Sequence, residues 1–238
     1  MKVGLVVIAT GKYFKFIQPL IDSIDEHFFV GFDVTLNLFV DEDNLIKTTE
    51  LTSERVRPNY FLVEKEIWPY PTLHRYKYFH NEREALQADY LYYCDADMKF
   101  VSPIGAEIIP QDHEELTVVK HPGFWDGGGT FETRPESKAY SPNATQYYAG
   151  GFNGGERDKF LKMCEELSKN IQIDESNEVT AIHNDESHLN CYCVDRILKE
   201  LSPSYCFPEN AIKFPKNWNV PFRPKLLALD KNHKEMRS

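Results

Sequence analysis

Two aspartates one residue apart, Asp95 and Asp97, close a short apolar run, Tyr90-Leu91-Tyr92-Tyr93. A run of that length and tyrosine content reads as a buried strand. Ligands of open α/β sheets collect beyond the carboxyl ends of strands. Paired carboxylates at such an end form a hard, all-oxygen donor set suited to Mn²⁺ or Mg²⁺, and a cation of that kind usually comes with a phosphate. Asp95-Ala96-Asp97 also reads as a solvated turn, because 37 acidic residues in 238 make the spacing common by chance. Its position favours chemistry: the residues before it suit burial, and Met98-Lys99-Phe100-Val101 reads as further strand.

The elements around this pair are those of an α/β protein. Val3 to Ala9 reads as a first strand ending in Thr10-Gly11-Lys12, and Val34 to Val40 as a second. Between them Phe16, Leu20, Ile21, Ile24 and Phe28 recur at helical spacing. Pro71 to Ala88 reads as one helix with Leu73, Tyr76, Phe79 and Leu86 on a face. Alternating strands and helices predict a largely parallel sheet. After residue 110 the pattern loosens. Glycine is dense at Gly127-Gly128-Gly129 and from Tyr147 to Gly155, Arg157 to Asn170 is a helix candidate, and the last forty residues are irregular. Long irregular segments tend to be binding loops. The expectation is one compact unit over 1–238, with a nucleotide-binding half over about 1–110 and a substrate-binding half over about 111–238.

Composition narrows the partners. A formal net charge of −10 argues against nucleic acid, whose backbone needs clustered Lys and Arg. It permits a nucleotide whose phosphates a divalent cation neutralises. No apolar run approaches the roughly 18 residues of a membrane span, and the opening MKVGLVVIATGKY lacks the marks of a signal peptide, so a cytoplasmic location is expected. The five cysteines, Cys94, Cys164, Cys191, Cys193 and Cys206, contain no C-x-x-C pair and read as packing residues in a reduced compartment.

Several segments together resemble glycosyltransferase family 6, which holds the histo-blood-group A and B transferases, α1,3-galactosyltransferase and the Forssman synthase. They are YLYYCDADMKF, HPGF (His121 to Phe124), QYYAGGFNGG (Gln146 to Gly155), NDESHLN (Asn184 to Asn190), LSPSY (Leu201 to Tyr205) and KNHKEMR (Lys231 to Arg237). They follow the family's order over nearly the whole chain, in the short microbial or viral form without a membrane anchor. The resemblance implies a GT-A fold, with a Rossmann-like nucleotide-binding sheet flanked by helices and acceptor-binding loops in the carboxyl-terminal half. It also implies a UDP-sugar donor, a galactose-terminated acceptor, and transfer with retention in α1,3 linkage.

Carried over by residue, the resemblance makes Asp95 and Asp97 the pair that holds Mn²⁺, or Mg²⁺, with Asp95 also on the ribose. Ile8, Thr10 and Tyr13 would grip uracil and ribose; read alone, Tyr13 packs equally well between strand and helix. Arg75 would contact the donor, where otherwise it is a surface helix arginine. Lys231 and Arg237 would close over the diphosphate, where otherwise the tail is a solvated terminus. Glu186 would be the catalytic glutamate, as nucleophile or as stabiliser of an oxocarbenium-like transition state, with Asp185 orienting sugar hydroxyls. Without the family, Asp185-Glu186-Ser187 reads as an acidic helix start.

Ala149, Gly150 and Gly151 would lie at the donor sugar. Small residues at 149 and 151 leave room for an N-acetyl group, which favours UDP-GalNAc over UDP-Gal; the same glycines also suit close backbone packing. His121, Gly123, Trp125, His183 and Asn184 would line the acceptor. His183-Asn184 departs from the family's Trp-His, and Trp125-Asp126-Gly127-Gly128-Gly129 is a second departure, so the sugar platform is altered. Two other readings compete. One is a phosphohydrolase of haloacid-dehalogenase type, whose D-x-D normally follows the first strand and is followed by Thr or Val. The other is a non-catalytic sugar-binding module built on Trp125, Tyr147 and Tyr148.

Overall fold

The structure, a computed structural model, describes residues 1–213 and 220–236. Strand β1 (Lys2–Ile8) leads through a 3-10 turn into α1 (Ile17–His27), then β2 (Asp33–Val40), α2 (Glu42–Leu45) and β3 (Arg57–Leu62). Two short helices, α3 (Tyr70–Leu73) and α4 (Arg75–Asn81), return the chain to β4 (Tyr90–Cys94). After β5 (Met98–Phe100) come β6 (Thr117–Lys120), β7 (Tyr148–Glu156), α5 (Arg157–Ser176), α6 (Asn184–Cys193) and β8 (Lys199–Leu201). The chain then runs through β9 (Phe207–Pro208), α7 (Glu209–Lys213), β10 (Leu226–Ala228) and α8 (His233–Met236).

Seven strands form one sheet in the order β3-β2-β1-β4-β7-β6-β8, and β5, β10 and β9 form a second, three-stranded sheet. β1 pairs in parallel with β2 on one side and β4 on the other. The chain therefore winds outward from β1 and then jumps back across it, which opens a crevice beyond the carboxyl ends of β1 and β4. Side chains alternate along β1: Leu5 and Val7 join the core layer of α1, with Leu20, Ile21 and Ile24. Val6 points the other way, into the layer of Phe79 from α4 and Phe160 from α5. Full burial of such side chains contributes about 1.5–3 kcal/mol each, so both faces of the sheet fix where its strand ends lie.

Several expectations change. The sheet is mixed rather than largely parallel, because β7 runs antiparallel to both β4 and β6. The glycine-dense stretch is this strand. A Cβ on Gly154 would come within 2.3 Å of the Leu91 carbonyl oxygen, so glycine is what lets β7 approach β4. The segment after Asp97 leaves the main sheet as β5 and pairs with β10. Pro71 to Ala88 is not one helix: the backbone flattens at His74 (ψ −2°), whose ring is bound by Glu66 and Glu175 at 2.6 and 2.8 Å, and α4 ends at Asn81. Helix α5 runs six residues past Asn170, to Ser176. All five cysteines are free thiols, four of them buried. Among the described residues, no helix is long and apolar enough to cross a membrane.

Candidate active site

A cavity of about 690 Å³ opens at the switch-point crevice, a volume suited to a nucleotide-sized ligand. Ile8, Thr10 and Tyr13 line one side, Asp95, Ala96 and Asp97 another, and Lys65 to Trp68 a third. The turn after β1 is fixed from the end of β2. Gly11 N–H donates to Asp41 Oδ2 at 2.5 Å, and Asn44 Nδ2 donates to the Gly11 carbonyl at 2.9 Å. Asp41 and Asn44 are both buried, and Gly11 takes a positive φ of 56° that favours glycine. These contacts set where Tyr13 stands.

The carboxyl-terminal tail is not frayed over its described part. The Lys231 ammonium meets the Asp97 carboxylate and lies 5.3 Å from the Tyr13 ring centroid. Lys12 Nζ donates to the Glu235 carbonyl at 2.8 Å, and Met236 is buried. Arg237 lies outside the described residues.

Behind the Asp95 wall lies a buried charge cluster centred on Arg75. Its Nη2 contacts Asp185 Oδ2 at 2.5 Å and donates to the Gly150 carbonyl at 3.2 Å, while Nη1 is 3.7 Å from Asp95 Oδ1. The guanidinium lies 4.2 Å from the Tyr93 ring centroid. Burial alone would lower the Arg75 pKa; Asp185, Tyr76, Tyr93 and Asp95 together outweigh it and hold the group charged. Burial pushes the Asp185 carboxyl up to about 6, with Arg75 pulling down and Glu186 and Asp95 adding to the rise. Arg75 is thus the internal counter-ion of the carboxylates rather than a surface helix residue. It is not on the cavity wall.

β7 carries a bulge at this point. One step along β6, from Val118 to Val119, spans four residues of β7, from Asn153 to Ala149. Bulges re-aim backbone and side chains next to functional sites, and here the bulge releases Gly150 and Gly151 from pairing with β6. Gly150 N–H donates to Glu186 Oε2 at 2.7 Å, and Asp95 N–H donates to the Gly151 carbonyl at 3.0 Å. Glu186 sits in the first turn of α6, which starts where the acidic run predicted. Burial raises the Glu186 carboxyl, against the pull of Gly150 N–H and of Tyr147. Ala149, Gly150 and Gly151 are all buried. A Cβ at Gly151 would stand 3.0 Å from Asp95 Oδ2, and one at Gly150 would stand 3.2 Å from both Arg75 Nη2 and Glu186 Oε2.

On the far side of Glu186 the aromatic ring of Tyr147 gathers His121 (5.6 Å), Phe124 (5.6 Å), Phe131 (5.4 Å) and His183 (6.2 Å). Its hydroxyl is buried beside Glu186, short of full hydrogen-bond geometry. His121 Nδ1 accepts from Gly123 N–H at 3.0 Å, which leaves its ring proton on Nε2. Burial, with His183 nearby, lowers His121 to about 4, so it is neutral at pH 7. Trp125 packs edge-on against Phe222, 5.3 Å between centroids. Asn184 heads α6 at a positive φ of 51°. The expected residues therefore fall into two groups. Ile8, Thr10, Tyr13, Asp95, Asp97 and Lys231 share the cavity. Arg75, Gly150, Asp185 and Glu186 form the cluster behind it, bordered by His121 and His183. Tyr93 and Asn190 are not singled out as site residues by the sequence, although Asn190 lies one helical turn after Glu186, and Tyr147 enters there only as a platform of the sugar-binding alternative.

The donor set fits a divalent cation. Asp95 and Asp97 offer carboxylate oxygens on the same cavity wall, and cations that act on nucleotides are commonly held by one or two carboxylates plus phosphate oxygens. No cluster of three ligating side chains occurs among the described residues, so the phosphates would have to complete the shell.

Acid should switch the cluster off before it unfolds the protein. Asp185 titrates near 6, so its ionised fraction falls from about nine-tenths at pH 7 to about one-tenth at pH 5, uncoupling Arg75. A carboxyl raised in the folded state adds stability as pH falls from 6 towards its ordinary value. Glu132, held down to about 2 by its hydrogen bond from Arg134, keeps its contribution until much lower pH. The expected result is an acidic limb near pH 6 in turnover with a thermal midpoint that holds or rises between pH 7 and 5.5; parallel loss of both would attribute the limb to unfolding.

A fold with a mixed central sheet, a nucleotide-sized cavity at its switch point and carboxylates on the wall is that of a GT-A type transferase. The model of glycosyltransferase family 6 matches residues 1–238, and the chain belongs to that family. It is 30% identical to histo-blood group ABO system transferase 1 of Rattus norvegicus, over 99% of this chain and 68% of the relative. It is 27% identical to globoside alpha-1,3-N-acetylgalactosaminyltransferase 1 of Gallus gallus, over 100% and 70% of the two chains. It is also 27% identical to the O-antigen biosynthesis glycosyltransferase WbnI of Escherichia coli, over 88% and 89%. The protein is accordingly a hexosyltransferase with a nucleotide-sugar donor and a glycan acceptor.

Proposed function

We propose that the protein transfers N-acetylgalactosamine, in preference to galactose, from a UDP-sugar to the 3-hydroxyl of a β-galactoside, with retention and in α1,3 linkage. The observation that carries this reading is the placement of Glu186. Its carboxylate is pinned by Gly150 N–H on the sugar-side strand, next to the Asp185–Arg75–Asp95 cluster and the His121–Tyr147–His183 aromatic group. Negative charge fixed there matches the positive charge that develops on the sugar ring as the bond to UDP breaks.

In this reading Ile8, Thr10 and Tyr13 bind the nucleoside. Lys231 neutralises the diphosphate, and Arg75 keeps Asp185 ionised and aligned with Asp95. Neutral His121 donates from Nε2 to the acceptor sugar. Asp95 and Asp97 would hold Mn²⁺, or Mg²⁺, which when bound would supply Lewis-acid stabilisation of the departing phosphate. The sugar–oxygen bond to UDP breaks with its electron pair staying on UDP, and the acceptor oxygen forms the new bond as its proton passes to the departing phosphate oxygen.

The test is UDP release from UDP-GalNAc and UDP-Gal, with and without Mn²⁺, in the presence of galactose-terminated oligosaccharides. Cation-dependent UDP release with an α-linked product is expected. Inorganic phosphate release instead would indicate a phosphohydrolase, and binding without UDP release would indicate a sugar-binding module. Donor choice has its own test. Ala149→Met should lower the UDP-GalNAc to UDP-Gal ratio of kcat/KM about tenfold, the scale of a steric clash in a pocket. An unchanged ratio would remove the size argument. Position 149 is preferred to 151 because a side chain at 151 would press on Asp95.

A further inference from the structure

β4 pairs with β7 only from Phe152 to Glu156, and beside the candidate site one buried side chain takes up the backbone groups of Tyr148 instead. Asn190, 2% exposed, accepts from Tyr148 N–H through Oδ1 at 2.7 Å and donates to the Tyr148 carbonyl through Nδ2 at 2.9 Å. Its amide thereby acts as a one-residue strand partner for β7, immediately before the bulge. The same Nδ2 donates to the Glu186 backbone carbonyl at 2.9 Å. Two residues beyond Tyr148, Gly150 N–H donates to the Glu186 carboxylate at 2.7 Å. The contacts form a closed ring, from Asn190 to Tyr148, along the strand to Gly150, across to the Glu186 carboxylate, and back through the helix to Asn190.

We infer that Asn190 is a positioning residue that locks the sugar-side strand to the helix carrying Glu186, and so fixes the height of the Glu186 carboxylate over Gly150. This rests on the proposed role of Glu186. The donor cavity does not depend on the ring: none of Asn190, Tyr148, Gly150 or Glu186 lines it. Loosening the ring should therefore slow turnover while leaving nucleotide binding in place. An ångström of misplacement at a reacting group costs on the order of a hundredfold.

The experiment compares three variants in UDP release from UDP-GalNAc, with KM and kcat determined separately and folding followed by circular dichroism. Asn190→Ala removes all three bonds. Asn190→Asp keeps the volume and the acceptor for Tyr148 N–H but loses both donated bonds. Leu167→Ala, in the core face of α5, destabilises the fold without touching the ring. Both Asn190 variants are expected to lose kcat at least about tenfold with the donor KM within about threefold of wild type, whereas Leu167→Ala keeps kcat in its folded fraction. Asn190 variants that turn over like Leu167→Ala, or that lose kcat only in proportion to their unfolded fraction, overturn the inference. So does failure of both to fold, which would make the amide a folding determinant. Wild-type protein that releases no UDP from any UDP-sugar overturns the functional reading and this inference together.

Discussion

Glu186→Gln should lower UDP release from UDP-GalNAc by at least about a thousandfold, equivalent to about 4 kcal/mol of transition-state stabilisation. The substitution is nearly isosteric, and its amide can still offer an oxygen to Gly150 N–H, which now meets Glu186 Oε2 at 2.7 Å. What disappears is the negative charge, in a place where burial and the lack of bulk water make charge count. The donor KM should stay within about threefold, because Glu186 does not line the nucleotide cavity. Steady-state kinetics with both parameters fitted provide the check. A variant keeping a tenth of wild-type turnover would move the chemistry to another group, with Asp185 the next to test.

Asp97→Asn carries the second large effect. Asp97 is buried on the cavity wall and meets the Lys231 ammonium. Removing its charge would weaken the proposed cation site and leave Lys231 facing a neutral amide. Mn²⁺-dependent turnover is expected to fall about a hundredfold or more, the usual cost of losing a group that fixes charge at a departing oxygen. Mn²⁺-dependent binding of UDP, followed by calorimetry, should weaken in parallel, while cation-free UDP binding changes little. Undiminished Mn²⁺-dependent turnover would take the metal away from this pair.

Much of the front of the molecule was legible because its signals are local. The strand before Asp95 is a run of apolar and aromatic residues, α1 shows helical spacing, and the acidic residues at 185 and 186 mark a helix start. What sequence reading missed depends on distant partners. The stretch from Tyr147 to Gly155 reads only as a glycine-dense part of a loosened pattern, yet it is a central strand, because β4 on one side and β6 on the other supply its pairing and Gly154 lets β4 come close. Arg75 reads as a surface residue on a helix face; only the fold shows Asp95 and Asp185 converging on it from a strand end and another helix. Tyr147 carries no motif signal that separates a buried ring from a sugar platform. The helix expected from Pro71 to Ala88 breaks at His74, whose ring is taken by Glu66 upstream and by Glu175 a hundred and one residues away.

The contact between position 151 and Asp95 has an evolutionary consequence. A Cβ at Gly151 would stand 3.0 Å from Asp95 Oδ2, so a larger residue there requires the carboxylate to give by a few tenths of an ångström. Changes at the two positions should then be strongly epistatic, each harmful alone and tolerated together.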